Sequence, residues 1–155
     1  MSQLLEMLNR IDSWVEKNAE FESDMRPGLT LEQIEEKLVG LPYKMPREII
    51  ELYTWRNGAR NGSFLPDPDG EYGIQEFYSL GEAISVAADW DEHVFPKMNA
   101  FPLFSQEGAM YWTVVSDVQQ ELALIYSCDD GMFPATPDYE SFADFLSAIV
   151  KRLKC

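Results

Sequence analysis

The residues best suited to acid–base or nucleophilic chemistry are one histidine and one internal cysteine. His93 directly follows Asp91 and Glu92, so an imidazole and two carboxylates could supply a general base or metal ligands. Such a run in a loop is, however, more typical of solvated surface groups. Cys128 precedes two aspartates, and neighbouring carboxylates disfavour the thiolate that a nucleophile requires. We therefore expect a solvated histidine and a structural thiol.

A calcium loop is the next kind of site to consider, in the run Asp67-Pro68-Asp69-Gly70-Glu71. An EF-hand needs glycine at its sixth position and a glutamate at its twelfth, whereas this run has Gly70 at the fourth and Tyr78 at the twelfth. Proline, aspartate and glycine here favour a plain turn instead. The sequence also lacks zinc-type Cys/His spacing and glycine-rich phosphate loops. We expect no metal, no cofactor and no enzyme activity. A paired-carboxylate hydrolase stays open as an alternative, because 27 acidic residues allow many pairs.

The excess negative charge lies mainly in the middle of the chain. The 155 residues have a net charge of −15, yet residues 61–140 alone contain 15 acidic residues and one basic residue, Lys97. Aromatic residues make up 13% and hydrophobic residues 46%, which argues against a disordered acidic chain. This charge disfavours nucleic acid and anionic membranes as partners but permits a basic protein. A soluble acidic protein without such a partner is the simpler interpretation of the same numbers.

Loop acids are therefore our predicted contacts for a basic partner. The first set is Asp67, Asp69, Glu71, Asp129 and Asp130. Three acids near the end of a predicted helix come second: Asp89, Asp91 and Glu92.

Aromatic residues beside loops could add binding anchors, since tryptophan and tyrosine are enriched at interface hot spots. Trp55 and Phe64 flank a turn-rich loop and are our predicted anchors, although the rim of the core is an alternative place for them. Trp14, Trp90 and Trp112 lie on apolar stripes of predicted helices and strands, so we expect these three residues in the core.

Five helices must position these residues. Apolar residues at helical spacing predict the first helix over 4–20. Capping patterns predict three more helices, beginning after Thr30, Ser79 and Ser141. Another helix begins at Pro46, which suits a first helical turn, and ends at Arg56-Asn57-Gly58.

Strands dominate the second half of the chain. Aromatic and β-branched residues predict strands over 73–78, 101–104, 111–115 and 122–127, with the last two forming a hairpin. Both faces of 111–115 are apolar, so this strand is predicted to be central and covered. The order of elements predicts an α+β fold: a mainly antiparallel sheet packed by N-terminal helices, one inserted helix and a C-terminal helix. We expect one domain over 1–155, with an N-terminal helix and loop over 1–27 and a core over 28–150.

Several of these elements carry a family resemblance. The helix Met45-Pro46-Arg47-Glu48-Ile49-Ile50-Glu51-Leu52-Tyr53-Thr54-Trp55-Arg56-Asn57-Gly58 has a proline start, a Leu-Tyr pair and an Asn-Gly end. This helix resembles the signature of the SUKH superfamily, which includes Smi/Knr-type cell-wall regulators and many bacterial immunity proteins. Three later segments resemble family landmarks in the same order: Tyr78-Ser79-Leu80-Gly81-Glu82-Ala83, Phe101-Pro102-Leu103 and Tyr139-Glu140-Ser141-Phe142-Ala143-Asp144-Phe145-Leu146.

The resemblance implies an α+β fold without catalysis and a cytosolic binding protein, often one that neutralises a toxin such as a nuclease or a deaminase. A regulatory scaffold of the Smi/Knr type is the alternative. The first residues contain neither a basic segment nor a continuous apolar stretch, and two cysteines do not suggest a disulfide framework. We therefore expect a cytoplasmic protein with a basic toxin domain as partner and no membrane contact. The sequence does not predict its oligomeric state.

Overall fold

A computed structural model describes residues 3–17, 25–59, 65–66, 73–74, 76–94, 99–106, 109–129 and 136–153. Its helices are α1 Gln3–Lys17, α2 Leu31–Leu38, α3 Arg47–Trp55, α4 Leu80–Asp89 and α5 Phe142–Arg152, with a π-helical turn at Trp90–Val94. Its strands are β1 Leu65–Pro66, β2 Gly73–Ile74, β3 Glu76–Phe77, β4 Ala100–Gln106, β5 Ala109–Val114 and β6 Tyr126–Asp129.

Side-chain hydrogen bonds cap the N-termini of three of the helices. Thr30 Oγ1 accepts the Gln33 N–H at 3.1 Å, and Gln33 Oε1 accepts the Thr30 N–H at 2.9 Å. Ser79 and Glu82 form the same reciprocal pair at α4. Ser141 Oγ accepts the N–H of the third helical residue of α5 at 3.0 Å. Each cap satisfies N–H groups that have no partner inside the helix, and the three helix starts predicted from the sequence are confirmed.

A four-stranded antiparallel sheet forms in the order β3-β4-β5-β6, beside a two-stranded ribbon of β1 and β2. The predicted strand over 73–78 was wrong as one element, because its first part pairs with β1 and its second part pairs with β4. The predicted hairpin of the last two strands is confirmed as an antiparallel pair in which Trp112 lies opposite Tyr126. With these helices and this sheet, the α+β fold is confirmed.

The last strand begins later than the sequence predicts. Residues 122–125 precede β6, because their backbone groups bond to segments other than β5. The Ala123 N–H donates to Glu48 Oε1 at 2.8 Å, and the Ile125 N–H donates to the Tyr139 carbonyl at 2.9 Å in an isolated bridge. The predicted strand over 122–127 was therefore wrong for its first four residues.

Apolar side chains cover both faces of β5. Tyr111 and Val115 belong to the main core, which also contains Phe77 and Phe104. Trp112 points to the opposite face, where it joins a smaller cluster with Trp90 and Ala100. Because β5 lies between two other strands and both its faces are buried, the prediction of a covered central strand is confirmed.

A buried carboxylate joins α3 to the start of α5. Glu48 Oε1 accepts the N–H groups of Ala123 at 2.8 Å and Phe142 at 2.9 Å, and its Oε2 accepts the Ala143 N–H at 3.0 Å. The residue is only 8% exposed. Its negative charge also lies at the positive end of the α5 dipole. Nothing in the spacing of Glu48 predicted this bridge, because its partners lie 75 to 95 positions away.

Candidate protein-binding surface

Most acids of the first predicted contact set lie outside the residues that the structure describes. Asp67, Asp69, Glu71, Asp130 and the aromatic Phe64 lie outside the described residues. The run 67–71, for which the sequence favours a plain turn over a calcium loop, lies outside them as well. Asp129 is the last residue of β6, with its backbone opposite Ala109. Cys128 lies in the same strand, opposite Met110, and His93 lies in the π-helical turn.

Trp55 lies in the core, at the end of α3. The residue is 7% exposed, and its indole N–H donates to Asp12 Oδ2 at 2.9 Å. The same carboxylate accepts a bond from Arg56 Nη2 at 3.1 Å, and the guanidinium carbon lies 5.5 Å from the indole centroid. These contacts attach α1 to α3. Because so little of the indole is exposed, this placement offers a partner almost no aromatic surface.

Two of the three acids in the second predicted set, Asp91 and Glu92, border a groove, which we call the acidic groove. Its described lining residues are Leu41, Pro42, Tyr43, Ile84, Ala87, Ala88, Asp91, Glu92, Asn99, Ala100 and Val115. The third acid of the set, Asp89, is exposed at the end of α4 and is not among the described lining residues. The groove has a volume of about 430 Å³. A volume of this size and a mainly apolar lining are both usual for binding sites.

One face of the inserted helix forms a wall of the acidic groove. Ile84, Ala87 and Ala88 line it from α4, and Asp91 and Glu92 continue the same face in the π-helical turn. Their spacing of three, four, seven and eight residues after Ile84 is that of one helix face. The wall is therefore apolar along α4 and acidic at its C-terminal end.

The acids stand at the end of the helix where negative charge is least favourable. A helix C-terminus carries a partial negative charge, which favours cations nearby by about 0.3–1 kcal/mol and disfavours carboxylates. The last turn of α4 has no basic residue, and both Asp91 and Glu92 are exposed. The sequence predicts that the acids end the helix, but the structure continues it for another turn in π form. Such turns often occur at functional sites.

The loop between α2 and α3 adds three residues to the groove lining, Leu41, Pro42 and Tyr43. Tyr43 is half-buried there and packs edge-on against Phe101, with the ring centroids 6.1 Å apart. Burial raises the pKa of the Tyr43 phenol above its ordinary value. The Lys44 N–H, which donates to the carbonyl of Ser116, joins this loop to the end of β5. The loop is thus held by the sheet as well as by the helices.

Residues at the ends of two strands close the floor. The carbonyl of Asn99 accepts the Val115 N–H at 3.0 Å, and Asn99 has φ of 53°. Asparagine is one of the few side chains that adopts this left-handed conformation readily. Asn99 therefore turns the chain into β4 just where Ala100 enters the groove.

The Asn-Gly end of α3 holds the helix wall in position. Asn57 Oδ1 accepts the Leu80 N–H at 2.9 Å, and Gly58 has φ of 95°. A Cβ atom on Gly58 would lie 2.8 Å from the backbone nitrogen of Ser79, so the close approach requires glycine. The most recognisable motif of the sequence therefore orients the helix that lines the groove.

Charge distinguishes the acidic groove from two other hollows on the surface. The charged residues among its described lining, Asp91 and Glu92, are both acidic. One other hollow includes Arg56, and another includes Arg47, so acids and bases are mixed in both. Over the described residues, no group of three or more histidine, cysteine, aspartate or glutamate side chains could hold a metal ion.

A comparison with protein-family models finds the SMI1 / KNR4 family (SUKH-1) over residues 28–148. This chain belongs to the SMI1/KNR4 family. The match contains α2 to α4, both strands that border the acidic groove and most of α5, so the resemblance seen in the sequence is confirmed. A comparison with curated proteins finds no match. Within the described ranges, none of the helices has the length and apolar character that crossing a membrane requires.

Sequence reasoning ranked the groove acids second and did not find the groove itself. The positions of Ile84, Ala87, Asp91 and Glu92 on one helix face could have shown that the acids continue an apolar stripe. The loop residues Leu41, Pro42 and Tyr43 show no pattern in the sequence that predicts their place in the groove lining, because that place depends on tertiary contacts.

Proposed function

We propose that this SUKH-1 domain is an immunity protein that binds a basic toxin, such as a nuclease, and covers its cationic surface. The acidic groove supports the proposal most directly, because its described charged residues are carboxylates next to an apolar surface. A nuclease must present lysine and arginine to phosphate groups. Carboxylates that occupy those positions would block substrate binding, so this chain needs no catalysis of its own.

The distribution of charge along the sequence supports the same partner. Residues 61–140 contain 15 acidic residues and one basic residue, and Asp91 and Glu92 belong to this segment. Complementary charge accelerates association with a cationic protein and weakens as salt is added. The predicted loop acids Asp67, Asp69, Glu71, Asp129 and Asp130 would extend the contact. The proposal includes a cytoplasmic location, where the protein would meet the toxin before the toxin meets its substrate.

A growth assay with the protein encoded beside this gene tests the proposal. The neighbour is expressed alone and together with this chain, and binding is measured between the purified proteins. We expect rescue of growth and an association rate that falls at least tenfold between 50 and 500 mM salt. A non-toxic neighbour, or a toxic neighbour that is neither bound nor neutralised, would refute the immunity role.

Paired charge reversals identify the surface that the toxin contacts. Asp91→Lys with Glu92→Lys should slow association and weaken neutralisation. Glu6→Lys with Glu16→Lys makes the same change of net charge on exposed positions of α1 and serves as the control. If both pairs have equal effects, net charge alone matters, and the groove is not the contact surface.

A regulatory scaffold of the Smi/Knr type is the second candidate, and the family assignment itself favours it. This role predicts a partner that is not toxic and whose loss changes a cellular process. Deletion of this gene in a strain that lacks the neighbouring gene separates the two roles, since an immunity protein is dispensable there. A hydrolase is the remaining alternative, and turnover of a substrate by the purified chain would support it against both.

A further inference from the structure

We propose that the acidic groove receives one arginine or lysine side chain of the protein partner, flanked by an aliphatic residue. The aliphatic stem would lie along Ile84 and Ala88, and the cationic end would reach Asp91 and Glu92. This inference rests on the proposed function, because it specifies which chemistry of the bound protein enters the groove.

The gradient along the helix wall is the first observation that carries this proposal. Arginine and lysine have an apolar stem and a charged end, and they commonly bury the stem while the end meets polar groups. The wall repeats this order, with apolar residues along α4 followed by two carboxylates. An uncharged apolar ligand would place no positive charge beside the carboxylates, and a bare cation would leave the apolar surface uncovered.

The electrostatics of the helix end are the second observation. The partial negative charge of the helix C-terminus adds to the carboxylates of Asp91 and Glu92, so the local field favours a cation. The last turn of α4 contains no basic residue. Arginine fits better than lysine, since its planar guanidinium can bond two carboxylates while it stacks on apolar surface.

The shape of the groove is the third observation. Tyr43 also lines the groove and is half-buried, so a guanidinium that enters the groove could contact an aromatic ring as well. The strand ends that form the floor are held by the Val115–Asn99 hydrogen bond. The site is therefore largely formed before binding, which reduces the entropic cost of association.

Titration of the full-length protein with a synthetic peptide tests this proposal by NMR. The probe is acetyl-Leu-Arg-Leu-amide, and the matched control replaces arginine with citrulline, which has nearly the same shape without the charge. We expect saturable amide shifts at Ile84, Ala88 and Asp91, with Kd on the order of 1 mM at low salt. The citrulline peptide should bind about two- to fivefold more weakly, as expected for the loss of an exposed ion pair that contributes up to about 1 kcal/mol.

Two variants separate the apolar and the charged parts of the site. Ala88→Phe fills the groove from an exposed helix position, and Ser13→Phe adds the same ring at an exposed position of α1, away from the groove lining. Ala88→Phe should weaken arginine-peptide binding at least tenfold, whereas Ser13→Phe should not change it. Asp91→Asn with Glu92→Gln should make the arginine and citrulline peptides bind equally, which tests the charge without any change of volume.

Other results would overturn the inference. Equal binding of the two peptides to the unmodified protein would show that the groove takes apolar ligands without regard to charge. If the arginine peptide causes no amide shifts, the groove does not bind it. If Ala88→Phe leaves the shifts unchanged, the peptide binds outside the groove. Concentration-dependent dimerisation that Ala88→Phe abolishes would show that a second copy of the chain covers the groove.

The immunity role and the groove inference can fail separately. If the neighbouring toxin is neutralised equally well by Ala88→Phe, the immunity role stands and the groove inference is wrong. If the arginine peptide binds as expected but no neighbouring toxin is neutralised, the groove chemistry stands and the immunity role is wrong.

Discussion

The buried carboxylate of Glu48 leads to a prediction about stability. Replacement by alanine removes the acceptor for three backbone N–H groups, those of Ala123, Phe142 and Ala143. The first two are buried, and each buried donor left without a partner costs about 1–3 kcal/mol. Allowing for partial access of water to Ala143, we expect Glu48→Ala to lower the free energy of unfolding by about 3–5 kcal/mol.

Glutamine separates the hydrogen bonds from the space that the side chain fills. One amide oxygen can still accept the two N–H groups that now share Oε1, but the NH₂ group would then face the Ala143 N–H. Glu48→Gln also removes the charge at the N-terminus of α5. We expect a loss of about 1–2 kcal/mol, clearly smaller than that of alanine.

Urea unfolding, followed by tryptophan fluorescence and circular dichroism, measures these losses. Glu36→Ala and Glu36→Gln are matched controls, because Glu36 is exposed on α2, and each should change stability by less than about 0.5 kcal/mol. If both Glu48 variants fall within 0.5 kcal/mol of the unmodified protein, the bridge does not stabilise the fold. If alanine and glutamine cost the same, the retained oxygen contributes nothing, and the hydrogen-bond argument is refuted.

Three further predictions concern residues that hold the core and the groove wall. Burial raises the pKa of Tyr53 above its ordinary value, so near pH 10 this side chain ionises only in the unfolded state, and the free energy of unfolding should fall above that pH. Tyr53→Phe should cost about 1 kcal/mol at pH 7 and make this fall smaller, as measured by urea titrations at several pH values. Gly58→Ala should lower the melting temperature markedly, because the new Cβ atom would lie 2.8 Å from the Ser79 nitrogen. Gly40→Ala should cost only about 1 kcal/mol, because a Cβ atom on Gly40 contacts nothing within 4 Å, and equal losses of stability in the two variants would refute the steric argument. Asp12→Ala should cost about 1–2 kcal/mol and change the fluorescence of Trp55, and an unchanged spectrum would contradict the observed indole bond.

Local chemistry accounts for what the sequence predicted correctly about the fold. The caps at Thr30, Ser79 and Ser141 depend on residues three positions apart, so they are visible in the sequence. The covered central strand follows equally from apolar residues on both of its faces. The strand over 122–127 was predicted to begin too early because its composition is strand-like, whereas Ala123 bonds to Glu48 of α3 and Ile125 bonds to Tyr139.

The candidate site was predictable only in part. The sequence predicted Asp91 and Glu92 as contact acids because of their charge, and their position after an apolar helix stripe can be derived from their spacing. Trp55 looked accessible because it ends a helix beside a loop, but its bond to Asp12 depends on α1, which lies 43 positions earlier in the chain.

By itself, the sequence determined the segmental negative charge, the capped helices, the α+β class and the family of this protein. These properties depend on composition and on neighbours a few positions apart. Only the tertiary structure decided that the loop before α3 and helix α4 line one groove, that Glu48 bridges three segments and that two acids border this groove. Such contacts join residues tens of positions apart, and their formation depends on how the helices and the sheet pack together.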